Sequence, residues 1–229
     1  PLLTPVNELR GALDLNLQLD GPVRSPSVNG QVDVRDVQLQ TAGMPVVIDD
    51  LDAGLVFTGE RGELSGKLKS GKGRADLQGE FTRQLTGWGG TVRLKGRNIP
   101  FFQPPDMRFQ MHPDLLLTLD SEALQLNGNV LLNEGFVVIK PLPPGAVDVS
   151  ADVEYVDERS AQLHAASNIT LGMNVLASIE PSLRIRGFGA EVRPKGAVRI
   201  TLDNTGVLIG RGTIDIEEGR YTGYGQRLT

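Results

Sequence analysis

Few stretches of this 229-residue chain have the residue types and spacing that chemistry requires. GKLKSGKG, residues 66–73, sets Gly66, Gly71 and Lys72 in a G-x-x-x-x-G-K spacing. A phosphate-binding loop continues with Ser or Thr, whose hydroxyl holds magnesium, and opens a helix. Here Gly73 follows, and RADLQGEF alternates as a strand. The stretch therefore reads as a hairpin turn. His112 and His164 are the two histidines, and with no cysteine in the chain they have no partners for a zinc site. Asp49, Asp50 and Asp52 could suggest calcium, but the glycine and glutamate of a calcium loop are missing. No nucleophile elbow and no acid–base pair in a recognisable frame is present. The sequence points to a protein that is not an enzyme, with no cofactor and no metal.

Composition narrows the class. Net charge is −5, which argues against a nucleic-acid partner, where a basic stripe is expected. Apolar residues make up 39% and aromatics 5%, while glycine reaches 28 residues. That mixture favours many turns and strand bends over long helices. The absence of cysteine leaves the redox compartment open. The chain starts at Pro1 without an initiator Met, as a fragment or a processed product would. No apolar run approaches the roughly 18 residues that span a bilayer, and FVVI at 136–139 is among the longest. A membrane anchor, if the parent has one, is expected outside this segment.

The dominant signal is a period of two. In GALDLNLQLD, Leu13, Leu15, Leu17 and Leu19 alternate with polar residues and share one face of a strand. The same alternation places Val32 and Val34, Leu55 and Phe57, Leu77, then Leu115, Leu117 and Leu119 on one face of their strands. It continues with Leu124 and Leu126, with Val147, Val149 and Val153, and with Ile169, Leu171, Met173 and Val175. Ile200, Leu202, Ile214 and Ile216 complete the set. A phase slip at Arg35–Asp36 suggests a β-bulge. A Pro-rich break, IPFFQPPDMRFQMHP, interrupts the pattern at 99–113. The reading is all-β, with about fourteen strands of roughly six to ten residues and no convincing helix. A loose internal repeat runs strand, Pro-containing loop, strand.

So many apolar side chains on one face need cover. Strands covering each other in a sandwich or closed barrel is one solution, and composition alone favours it. An open trough filled by something else is another. The scarcity of large aromatics, which usually fill sandwich cores, leans toward the second.

The C-terminal text is more specific. In GRGTIDIEEGRYTGYGQRLT, residues 210–229, a strand, a glycine turn and a Tyr–Gly–Gln strand follow one another. Gly210, Gly212, Ile214, Ile216, Gly219, Tyr221, Tyr224, Gly225 and Gln226 match the signature of the TamB family, which this end resembles. SPSVNGQVDVRDVQL, MHPDLLLTLDSEALQLNGNVLL and PGAVDVSADVEYVD are similar to earlier parts of that family, so the likeness covers nearly the whole chain. In one respect it departs: the family continues past the Tyr–Gly–Gln strand.

The resemblance implies one elongated β-groove domain over residues 1–229, with the Pro-rich connection near 99–113. The implied fold is a long, mostly antiparallel sheet curled into a U-shaped trough with an apolar interior. The alternating residues named above would line it. The implied setting is the periplasm, within a protein anchored in the inner membrane by a segment elsewhere and meeting membranes at both ends. The implied function is carriage of phospholipid toward the outer membrane. The alternative is a scaffold that assembles outer-membrane proteins and autotransporters by β-augmentation with the outer-membrane barrel TamA.

Overall fold

The computed structural model describes residues 6–22, 27–41, 45–84, 87–140, 170–202, 206–223 and 226–228. Among them there are strands and turns but no helix. The first six strands are β1 (Val6–Asp20), β2 (Ser27–Thr41), β3 (Asp50–Gly59), β4 (Arg61–Ser70), β5 (Gly73–Gln84) and β6 (Gly87–Arg97). Then come β7 (Ile99–Gln103), β8 (Met107–Leu119), β9 (Ala123–Ile139), β10 (Thr170–Ile179) and β11 (Leu183–Gly187). The last are β12 (Ala190–Leu202), β13 (Leu208–Gly223) and β14 (Gln226–Leu228).

All fourteen belong to one sheet, in the order β1-β2-β3-β4-β5-β6-β8-β9-β10-β12-β13-β14. Strand β7 pairs with β8 beyond the end of β6, and β11 lies between β9 and β12 beyond the end of β10. Neighbours are antiparallel, except that β9 runs parallel to β10 and β11. The Pro-rich stretch is part of the sheet: β7 and the start of β8 form a hairpin around Pro104 and Pro105.

Several strands are longer than their alternation suggests, reaching 15 to 17 residues in β1, β2, β9 and β13. Bulges explain this. Ala12 faces Arg35 but Arg10 faces Gln38, so β2 carries one extra residue where Asp36 adopts φ 51°. A bulge shifts the face parity by one. Val32 and Val34 before it, and Val37 and Leu39 after it, therefore lie on the same face. The same device acts in β9 near Glu134 (φ 39°) and in β13 near Glu217.

Burial is sparse. Among the described residues the buried apolar side chains include Ala75, Ile99, Phe109, Val175, Leu183 and Pro194. They gather mostly where β7 leans on β4 and β5 and where β11 fills the lane between β9 and β12. Neither face of the sheet as a whole is covered by a second layer of described elements. Among the described residues all strands belong to one sheet, and its edges β1 and β14 are not paired with each other as a closed barrel would require.

Candidate functional site: an apolar sheet face

Residues directly opposite one another on neighbouring strands share a face. Following the register from β1 gives Leu15, Val32, Leu55, Leu64, Gly79, Val92, Leu117, Leu126, Met173, Leu202 and Leu208 in one unbroken row. The next row runs Leu13, Val34, Ala53, Gly66, Leu77, Leu94, Leu115, Gly128, Val175, Ile200 and Gly210. A third begins with Leu17, Gly30 and Phe57, and passes through Leu119 and Leu124 to Leu171. Leu19 faces Val28, Ile214 faces Gly196, and Ile216 faces Pro194 on the same side. No charged side chain interrupts these rows.

Among the described residues, the sheet thus brings every alternating residue singled out from the sequence onto one face. Val147, Val149, Val153 and Ile169 lie outside the described residues, as do Tyr224 and Gly225 of the C-terminal signature. The face also includes residues outside the candidate lining set. Leu64, Val92 and Leu94 sit in short alternating runs, so the signal for them was present. Val37, Leu39 and Val137 reach the face through bulges, which single-strand parity misses.

The face is open to solvent toward both edges. Leu13, Leu15 and Leu19 keep 65–67% of their surface exposed, and Leu171 51%. Leu208 and Ile216 at the other end keep 61% and 63%. Along β10 itself exposure falls to 7% at Val175. An exposed aliphatic surface of this kind is the form that interaction surfaces and ligand grooves take.

Glycines set how closely these strands approach. Gly30 has φ +132° and Gly128 φ +140°, and a Cβ there would stand 2.0 Å from the Asn16 carbonyl oxygen and 2.2 Å from that of Asp114. Only glycine fits such a conformation beside a neighbouring strand.

The opposite face is polar, and one of its rows pairs opposite charges by register. Asp52, Lys67, Asp76, Lys95 and Asp114 stand opposite one another across β3, β4, β5, β6 and β8, alternating in sign. Arg93 clasps Asp114 with both Nε and Nη2 at 2.9 Å from its carboxylate oxygens. That hydrogen bond lowers the Asp114 pKa and raises that of Arg93. Lys69 is bound to Asp50, which raises the lysine pKa.

The sequence motifs for chemistry resolve differently. GKLKSGKG forms the β4–β5 hairpin, and the Gly71 N–H is taken by the Asp49 carboxylate. Asp49 thereby turns away from Asp50 and Asp52. Asp36, delivered by the β2 bulge, joins those two instead, with ligand atoms within 4.8 Å of one another. Asp52 accepts from the Asp36 N–H at 3.0 Å, and Lys69 holds Asp50, so this acidic group is already partly neutralised. His112 Nε2 lies 3.2 Å from Asn133 Oδ1. His164 lies outside the described residues.

Comparison with known proteins supplies the remaining observation. The family model of the TamB C-terminal domain matches residues 60–229, from the foot of β4 to the end of the chain. The translocation and assembly module subunit TamB of Haemophilus influenzae is 24% identical over 240 aligned positions, which cover 99% of this chain. The chain spans 18% of the length of that relative. No solved structure matches it. A match over well beyond half of the chain means that this chain belongs to the TamB family, in the region of its C-terminal domain.

Proposed function

We propose that this chain is a periplasmic stretch of a bridge between inner and outer membranes, and that its apolar sheet face carries phospholipid acyl chains. The observation that carries this reading is the set of unbroken apolar rows from β1 to β13, with no described element lying over them. Each methylene removed from water contributes about 0.8 kcal/mol, so a lipid's two chains are held without any specific contact. Movement along the face requires that no place bind much better than its neighbour. A wall of Leu, Val, Ile, Phe and Gly without charges meets that need. In this reading the sheet curls into a trough around its apolar face. Bulges at Asp36, Glu134 and Glu217 and kinked glycines are the devices by which sheets are bent. The polar face stays in water. The parent protein is anchored in the inner membrane, and its partner at the outer membrane is the barrel TamA. No chemical step is involved.

The decisive experiment is extraction of lipid from the chain purified from a bacterial periplasm, with the extract identified by mass spectrometry. Near-stoichiometric phospholipid supports the conduit. A lipid-free chain whose apolar face is closed to a hydrophobic dye overturns it.

A second reading rests on a different observation. Among the described residues β1 is paired on one side only, over fifteen residues, with leucines exposed beside the free edge. Such an edge accepts client strands. In that role the chain scaffolds assembly of outer-membrane proteins, autotransporters among them. Crosslinks from β1 to a nascent barrel strand support it.

A further inference from the structure

Like charges oppose each other at several places on the polar face, as at Asp14 with Asp33 and Glu63 with Glu80, but three cations in succession stand in the row beside the alternating one. In the row Asp52, Lys67, Asp76, Lys95, Asp114, every charge faces opposite charges. Two residues along each strand, toward the β4–β5 hairpin, the row reads Asp50, Lys69, Arg74, Arg97. Three cations are thus directly opposed on adjacent strands, an arrangement that costs stability where nothing offsets it. Asp50 neutralises Lys69 alone, and Arg74 acts against the charge of Lys69. Lys72 adds a further cation from the hairpin turn. Among the described residues, Lys72, Arg74 and Arg97 have no ion-pair partner, whereas Arg35, Lys69, Arg93, Lys95, Arg184, Arg186, Arg193 and Lys195 each have one. They line a single open recess of about 310 Å³ with Asp76, Lys95 and Asn98. Asp76 is shared between Lys67 and Lys95, and Lys95 also reaches Asp114 at 3.8 Å. The recess therefore keeps an excess of positive charge in a chain whose net charge is −5.

We propose that Lys72, Arg74 and Arg97 form a binding site for a phosphate group. Two guanidinium forks side by side and one ammonium suit a tetrahedral oxyanion, which offers more acceptor oxygens than a carboxylate and takes arginine in bidentate fashion. The bound anion offsets the repulsion that the register builds in. The site lies on the face opposite the apolar rows, so it does not depend on the lipid-conduit reading. The phosphate is presented by a lipid headgroup or by a free phosphate ester.

The test uses the 229-residue chain, with thermal unfolding and binding followed at low ionic strength. The probes are glycerol 3-phosphate, inorganic phosphate and acetate. Glycerol 3-phosphate and inorganic phosphate are expected to bind saturably and raise the unfolding temperature, with acetate at least tenfold weaker. Arg74→Gln and Arg97→Gln each weaken phosphate binding at least tenfold. Both unfold no earlier than the parent in phosphate-free buffer, because each removes a like-charge contact, and this excludes misfolding as the cause. Arg74→Lys keeps the charge but loses the fork, and weakens binding severalfold. Arg61→Gln, an exposed cation of β4 that faces Thr58 and Thr82, leaves binding unchanged. Vesicles of phosphatidylcholine with phosphatidylglycerol separate the sources. Sedimentation with them that glycerol 3-phosphate reverses assigns the lipid headgroup, and soluble binding without sedimentation assigns the free ester. Equal weakening by Arg61→Gln, or equal binding of acetate, would overturn the proposal.

Discussion

The Arg93 guanidinium holds the Asp114 carboxylate across β6 and β8 by two hydrogen bonds of 2.9 Å, with Lys95 at 3.8 Å from the same group. The bond to Arg93 lowers the Asp114 pKa from its ordinary 3.8. A depressed carboxylate stabilises the fold above its unfolded pKa and loses that contribution as pH falls through the folded one. Asp114→Asn should therefore be less stable than the parent at neutral pH, and the two should converge below about pH 4. Urea midpoints measured against pH check this. Both groups are exposed, so added salt should shrink the gap. A gap that is the same at every pH would sink the assignment.

Leu117 stands between Val92 and Leu126 on the apolar face, and its chain neighbour Thr118 stands between Thr91 and Gln125 on the polar one. Leu117→Asp should cost about 2–4 kcal/mol, since the carboxylate meets an aliphatic surround. Leu171→Asp, at a half-exposed position, should cost about 1 kcal/mol. Thr118→Asp should stay within about 0.5 kcal/mol. In the conduit reading both inward variants lose bound phospholipid while Thr118→Asp keeps it. Leu171→Asp is the sharper probe, because its fold survives. Equal lipid content in Leu171→Asp and the parent would count against the apolar face as the route.

Gly128 and Gly87 have nearly the same backbone, φ +140° and +146°, but different surroundings. A Cβ on Gly128 meets the Asp114 carbonyl oxygen at 2.2 Å, and one on Gly87 meets nothing within 4 Å. Gly87→Ala should cost about 1–3 kcal/mol from backbone strain alone. Gly128→Ala should cost more, by about 2 kcal/mol, because β8 and β9 must part. Denaturant titration of both separates the conformational term from the steric one, and equal losses would show that β8 gives way without cost.

Ser70 is fully buried, and its hydroxyl has no hydrogen-bond partner. An unsatisfied buried donor costs about 1–3 kcal/mol, so removing it should help. Ser70→Ala is expected to be neutral or to gain up to about 1 kcal/mol, read as a raised urea midpoint. A clear loss would mean that the hydroxyl is satisfied in solution.

Side-chain parity was legible in the sequence because it is a local property of extended backbone. Leu13, Leu15, Leu17 and Leu19 share a face whatever their strand pairs with. The all-β class, the hairpin at GKLKSGKG and the phase slip before Asp36 follow from the same short-range geometry. The tertiary structure alone decided which strands meet. The parallel pairing of β9 with β10 and the placing of Asp36, rather than Asp49, beside Asp50 and Asp52 depend on it. So does the alignment of Lys69, Arg74 and Arg97. Register is a collective outcome: one bulge residue at Asp36, Glu134 or Glu217 shifts everything beyond it. Parity is written in each strand, whereas the continuous apolar face and the opposed cations exist only once many strands have chosen their partners.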